Sequence, residues 1–205
     1  MNDIVCDIAF TPAVKAQQVR HGSRAAYEKM EKKSGWKNVI TDQLAIFLAE
    51  RDSFYLATAT ADGQPYIQHR GGTPGFLRIL DDHTLAFPDY GGNRQYITTG
   101  NLSENDKAHI FLMDYANRRR IKIWGRAEVR EDNDDLMARV SDCDGPRAER
   151  VILFHVSAWD SNCPAHIVLR FDERQLAETL APLRARIAEL EAENAILRGG
   201  YSLSA

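Results

Sequence analysis

The sequence predicts a mainly β protein with flanking helices, organised around a small antiparallel barrel. Residues 54–129 break into short β-branched and aromatic runs separated by Gly- and Asp-rich turns. These runs lie close enough to pair as consecutive hairpins, and closing hairpins into a barrel removes the exposed edges they otherwise leave. Near the C-terminus, Leu and Ile recur three and four residues apart, the seam spacing of a coiled coil.

Thr11-Pro12 is a helix opening, a hydroxyl cap followed by proline at the first helical position. The stretch to Lys33 carries an irregular apolar stripe of Val14, Ala16, Val19, Ala25, Tyr27 and Met30, which predicts one helix lying over the barrel. A second helix is expected over residues 41–51, where Leu44, Phe47 and Leu48 share a face that plugs one barrel end. Phe54-Tyr55-Leu56-Ala57-Thr58-Ala59, the Ala61-Asp62-Gly63 turn and Pro65-Tyr66-Ile67-Gln68-His69-Arg70 make the first hairpin. Residues 76–80 and 84–87 flank Asp81-Asp82-His83 as the second, and residues 108–113 and 120–129 form the third. Residues 95–104 are a helical turn and loop, and residues 132–144 contain a short amphipathic helix. Residues 150–158 return as a strand apolar on both faces, which belongs inside the fold.

The tail, residues 172–205, follows a helical domain at 1–40 and the barrel domain at 41–171. Leu180, Leu183, Ile187, Leu190, Asn194 and Leu197 take the seam positions, with Arg186 and Glu193 on one flank and Glu191 and Arg198 on the other. This stripe serves either a second copy or the chain's own barrel. Pro182 can begin a helix but interrupts one already running.

With 44% hydrophobic and 27% charged residues the composition is that of a soluble globular protein, and the net charge of −3 argues against a surface for polyanions. No apolar run is long enough to cross a bilayer, and the N-terminus lacks the basic start of a secretory signal. Cys6, Cys143 and Cys163 are odd in number and far apart, which predicts reduced thiols in a cytoplasm. The Arg118-Arg119-Arg120 triplet stands alone in an acidic chain, and the segment before the zipper-like tail is acidic where a basic region is required, so no nucleic-acid partner is expected. Cys163 and His166 are at no recognised zinc spacing from Cys143 and His155, so no metal is expected either.

Two runs carry the binding chemistry. Gln68, His69 and Arg70 end one strand, while Asn93, Arg94 and Gln95 follow Gly91-Gly92. Amides and guanidiniums beside flexible backbone suit a compact dianion such as a phosphate. Taken singly, each of these residues is a solvated turn residue.

The runs Tyr66-Ile67-Gln68-His69-Arg70-Gly71-Gly72, Gly92-Asn93-Arg94-Gln95-Tyr96 and Arg118-Arg119-Arg120-Ile121-Lys122-Ile123-Trp124-Gly125, in that order, resemble the pyridoxamine 5′-phosphate oxidase-related, FMN-binding split-barrel family over about residues 45–170. The resemblance implies a split antiparallel β-barrel with FMN at a homodimer interface. It implies phosphate and flavin contacts from Gln68, His69, Arg70, Pro88, Asp89, Asn93, Arg94 and Gln95 of one subunit. Arg120 stands where the oxidases of this family carry a flavin-reaching glutamine, and Trp159 and Asn162 fall near the family's late tryptophan, on the partner subunit. His69, Arg120 and Trp159 are the candidates for ring and substrate contacts. The family's Arg-x-x-x-x-Lys phosphate run aligns with Gln68 to Thr73, so both basic ends are missing and Arg70 must compensate. Residues 163–170 lack the Arg-Leu-x-x-Arg segment that grips substrate in the authentic oxidase. The expectation is therefore an FMN-dependent oxidoreductase of another small substrate. NAD(P)H would dock transiently as reductant, since no Gly-x-Gly-x-x-Gly fingerprint is present. The competing expectations are a flavin carrier or redox sensor without turnover, and haem or F420 in the same cleft.

Overall fold

The computed structural model describes residues 5–33, 35–141, 147–161 and 164–200. After a 3₁₀ turn at Val5–Ile8, helix α1 (Pro12–Arg20) starts where the Thr11 hydroxyl accepts the Val14 N–H at 3.3 Å. The single long helix expected to Lys33 is two: α1 and α2 (Arg24–Lys33). Gly22 adopts φ +74° between them, and the Ser23 N–H reaches back to the Gln18 carbonyl at 2.8 Å. A glycine in the left-handed region is a common helix terminator. Helix α3 (Asp42–Ala49) is capped by Thr41 and buries Leu44, Phe47 and Leu48, as the spacing predicts.

Seven strands follow: β1 (Ser53–Ala59), β2 (Pro65–Gly71), β3 (Arg78–Asp81), β4 (Thr84–Tyr90), β5 (Lys107–Asp114), β6 (Arg119–Arg130) and β7 (Ala148–Ser161). Helix α4 (Ile97–Glu104) precedes β5, and α5 (Asp134–Val140) precedes β7. All three expected hairpins form, and the antiparallel sheet runs β2-β1-β5-β6-β7-β4-β3. β3 starts two residues later than expected because Phe76 and Leu77 turn inward, Phe76 stacking on Phe54 at 5.4 Å between ring centroids. The sheet curls into a split barrel around a core that includes Leu56, Leu85, Phe87, Ile110, Leu112, Ile123, Ile152 and Phe154, with Phe47 and Leu48 of α3 packed into it.

β7 is central, as its apolar run predicts, but only one face is buried throughout. Val151 and Leu153 pack under α5, and Trp159 is buried further along, whereas His155 and Ser157 between them are exposed. Gly125 lies at a β-bulge of β6, where an added Cβ would stand 2.2 Å from the His155 carbonyl oxygen. Only a residue without a side chain permits that approach.

The chain divides into two compact units, Met1–Asp114 with Arg119–Ala165, and Tyr115–Arg118 with His166–Ala205. In the second, the Arg170 guanidinium lies 5.0 Å from the Tyr115 ring centroid. Its long helix α6 (Glu173–Gly200) opens on a capping box: the Gln175 N–H donates to Asp172 Oδ1 at 2.7 Å, and the Asp172 N–H donates to Gln175 Oε1 at 3.1 Å. Pro182 lies inside α6 and does not end it, contrary to the expectation from its missing N–H. Among the described residues no helix is long and apolar enough to cross a membrane.

Candidate functional site

Strand β2 lies at the sheet edge, and its alternation sorts its residues between two surfaces. Tyr66, Gln68 and Arg70 pair across from Thr58, Leu56 and Phe54, so they share the core-facing side of the sheet. Where the hydrophobic core stops, these three polar residues line a cavity of about 260 Å³. Its other walls are the end of β4 (Asp89, Tyr90), the loop through Asn93, Arg94 and Gln95, the start of α4, and Glu149 and Arg150 of β7.

A buried carboxylate organises this cavity. Asp89 Oδ1 accepts a short hydrogen bond from Arg70 Nη1, and Oδ2 accepts from Arg150 Nε at 3.0 Å. Asp89 and Arg150 are register partners in the β4–β7 ladder, which fixes their approach. Arg150 also donates from Nη2 to Glu149 at 2.8 Å and lies 5.2 Å from the Tyr96 ring centroid. Burial opposes the Arg150 charge, but the hydrogen bond and charge of Asp89, with Glu149, outweigh it and hold the guanidinium protonated more firmly than usual. Arg70 Nε is buried and has no hydrogen-bond partner among the described residues.

The opposite wall supplies further donors. The Thr98 hydroxyl donates to Gln68 Oε1 at 2.8 Å, which orients the Gln68 amide and leaves its NH₂ as the donor end. Asn93 Oδ1 accepts the Gln95 N–H at 3.2 Å and shapes the loop. Arg94 and Tyr96 both take left-handed backbone, φ 57° and 52°, and Tyr96 stands at the α4 N-cap without a side-chain capping bond. The first-turn residues Ile97, Thr98 and Thr99 of α4 thus line a cavity whose other residues include three guanidiniums (Arg70, Arg94, Arg150) against two carboxylates (Asp89, Glu149).

Of the residues singled out from the sequence, Gln68, Arg70, Asp89, Asn93, Arg94 and Gln95 line this cavity together. His69, Pro88, Arg120 and Trp159 do not. His69 points to the outer face of the sheet, edge-on to Tyr55 at 5.6 Å. Pro88 is buried in β4 opposite Val151. Arg120 pairs with Met113 on the β5–β6 hairpin. Trp159 is buried, its indole N–H donating to the Val39 carbonyl at 2.8 Å. Asn162 lies outside the described residues. The glycines do not leave backbone open to a ligand uniformly: a Cβ on Gly72 would meet the Phe76 ring at 2.6 Å, and one on Gly91 would meet Glu149 at 2.7 Å.

Arg150, Thr98 and Tyr96 were not singled out from the sequence as site residues. Arg150 reads there only as the opening of an apolar strand, and its place depends on pairing with a carboxylate 61 residues earlier. The outer face has its own continuity. His69, Tyr55, Phe111, Lys122 and Asp160 are successive register partners across β2, β1, β5, β6 and β7. Exposed Ile67 and Tyr55 stand at one end of this face. At the other, the Trp36 and Trp124 rings stack at 4.5 Å between centroids, and the Lys122 ammonium lies 5.7 and 5.2 Å from those centroids.

A family model described as Pyridoxamine 5′-phosphate oxidase matches residues 40–163, a span that contains all seven strands and the cavity. No curated protein matches the chain. Among solved structures, a putative pyridoxamine 5′-phosphate oxidase from Lactobacillus delbrueckii is similar at 22% identity and TM-score 0.48, over 60% of this chain and 95% of that one. HupZ of Group A Streptococcus is similar at 20% identity and TM-score 0.45, over 59% of this chain and 93% of its own. An FMN-binding protein from Syntrophomonas wolfei is similar at 15% identity and TM-score 0.43, over 74% and 99%.

Proposed function

We propose, because the chain belongs to the pyridoxamine 5′-phosphate oxidase family, that its cavity holds the phosphate of FMN and that the protein is a flavoprotein oxidoreductase acting on a small substrate. The observation that carries this is the convergence of Gln68 and Arg70 from β2 with Asn93, Arg94 and Gln95 from the β4–α4 loop around one cavity. The donor set fits the group. A phosphate monoester is a near-dianion at neutral pH with oxygens that accept several charge-assisted bonds, and guanidiniums can offer two at once. The buried Arg70 Nε, without a hydrogen-bond partner among the described residues, is a donor in want of such an acceptor, and α4 starts in the cavity wall. Arg150, brought in by β7, offsets the missing basic ends of the family's phosphate run at Gln68 and Thr73.

When bound, FMN supplies the hydride and electron transfer, and the protein binds and orients it. Asp89 keeps Arg70 and Arg150 in place, Thr98 fixes the amide of Gln68, and Arg94 adds a cation from the loop. We assign His69 and Arg120, which share the outer sheet face, to contacts with a second copy of the chain. The exposed Ile67 and Tyr55 on that face support a homodimer.

A visible spectrum after incubation with FMN and gel filtration tests the reading, since oxidised flavin, Soret and deazaflavin absorption differ. A colourless protein that retains no FMN refutes it. Arg94→Ala is expected to weaken FMN retention by about 1.5–3 kcal/mol, the usual worth of a hydrogen bond to a charged group. Anaerobic titration with NADPH then separates an enzyme, which accelerates flavin reduction over free FMN, from a carrier.

A further inference from the structure

We infer that α6 is a dimerisation element, pairing with α6 of a second copy as a parallel, in-register two-stranded coiled coil. The helix is continuous from Glu173 to Gly200. Its Leu176, Leu180, Leu183, Ile187, Leu190 and Leu197 are all exposed, Leu183 at 58%, Ile187 at 55% and Leu197 at 61%. These residues alternate four and three apart, and Asn194 completes the series, so they form one seam rather than scattered surface positions. An apolar stripe sustained along a helix and left open to solvent calls for a covering surface. Pro182 falls on the solvent side of the seam, between Leu180 and Leu183, where its ring does not obstruct a facing helix.

The flanking charges identify the occupant as a second α6. In a parallel pair, Arg186 of one helix faces Glu191 of the other, and Glu193 faces Arg198, each occurring twice by symmetry. An antiparallel pair with full overlap also matches opposite charges, Arg186 with Glu193 and Arg184 with Glu191, so charge alone does not set the direction. Asn194 does. Its Nδ2 donates to the Leu190 carbonyl of its own helix at 3.0 Å, which leaves its side-chain oxygen for a partner. In the parallel arrangement Asn194 meets its own equivalent, and the two amides satisfy one another. In the antiparallel one it is buried against Leu183, with no polar partner.

This pairing does not depend on the flavin reading, and cysteine cross-linking of the full-length chain tests it separately. Leu183→Cys and Leu197→Cys, each alone and exposed on α6, are oxidised and compared with the unmodified chain, whose own cysteines set the background. Both variants are expected to give a covalent dimer, because equivalent seam positions lie within disulfide reach only in a parallel, in-register pair. Adding Arg186→Glu should lower the cross-linked yield, and adding Glu191→Arg to that variant should restore it. No cross-link above background at either position overturns the proposal. So does Leu183→Cys linking only to Asn194→Cys in a mixture, which is the antiparallel arrangement. FMN retention by the same variants reports on the cavity, so a failed coil and a failed flavin site give different results.

Discussion

Asp89→Asn is the substitution that tests how the cavity is held together. The carboxylate accepts from Arg70 on one oxygen and from Arg150 on the other, and the three side chains are only 8%, 12% and 14% exposed. Asparagine keeps the shape but removes the charge and turns one acceptor into an NH₂, so a donor meets a guanidinium donor. Breaking a buried pair by removing one partner costs about 3–5 kcal/mol, because the remaining charge is left uncompensated. Here two guanidiniums are left beside one another, while the remaining amide oxygen retains one bond and Glu149 still holds Arg150, which puts the loss near the lower end, about 3 kcal/mol. For a chain of this size, 1 kcal/mol shifts Tm by roughly 2–4 °C, so a fall of about 6–12 °C is expected. Differential scanning fluorimetry in phosphate-free buffer measures it. Adding inorganic phosphate should then raise Tm more in Asp89→Asn than in the parent, since an anion binding the folded state alone stabilises it by mass action. A variant melting within about 2 °C of the parent, below the shift expected for 1 kcal/mol, would mean that Asp89 does not hold the two arginines.

Gly125→Ala is expected to destabilise by about 1–3 kcal/mol or more in chemical denaturation, because its Cβ would meet the His155 carbonyl at 2.2 Å and the Phe154 ring at 2.4 Å. Trp159→Phe removes the indole bond to the Val39 carbonyl and should cost about 1 kcal/mol, read in the same assay. Burial, and then the charge of Lys122, push the His109 imidazole down to about 4, so the fold holds it neutral. The unfolded chain, with the ordinary value of 6.5, takes up that proton first on acidification. His109 therefore contributes stability that is complete above pH 6.5 and is lost as pH falls from 6.5 through about 4. His109→Phe should flatten that part of the pH–stability profile, and an unchanged slope would place the titrating group elsewhere.

The hairpins were legible because each is local: a period-two run, a turn signal within a few residues, and a second run. Ser53–Ala59 and Pro65–Gly71 needed nothing from the rest of the chain. The helix break at Gly22 and the continuation of α6 through Pro182 were misjudged for a shared reason. A glycine or proline shifts local preference by a finite amount, and the surrounding structure decides whether the helix stops. Arg24 illustrates this, since it bonds Gln18 across the break at 2.5 Å and also pairs with Glu31 on α2. The cavity was legible as far as its contiguous runs went. Arg150 was not, because its role comes from the β4–β7 register, and register between distant strands leaves no mark on either segment alone.

The run Gln68-His69-Arg70 contained more than a list of donors. Side chains on a strand alternate between faces, so three consecutive residues cannot all reach one ligand from one side. Gln68 and Arg70 turn to the cavity, while His69 joins the outer row with Tyr55, Phe111, Lys122 and Asp160. A motif that contacts a cofactor through all three residues therefore needs a second surface on the far side of β2. Because β2 is an edge strand, a bound molecule or a second barrel can approach both of its faces. The alternation thus splits the run: Gln68 and Arg70 line the cavity on the core-facing side of β2, while His69 lies on the opposite face, edge-on to Tyr55 of its own chain.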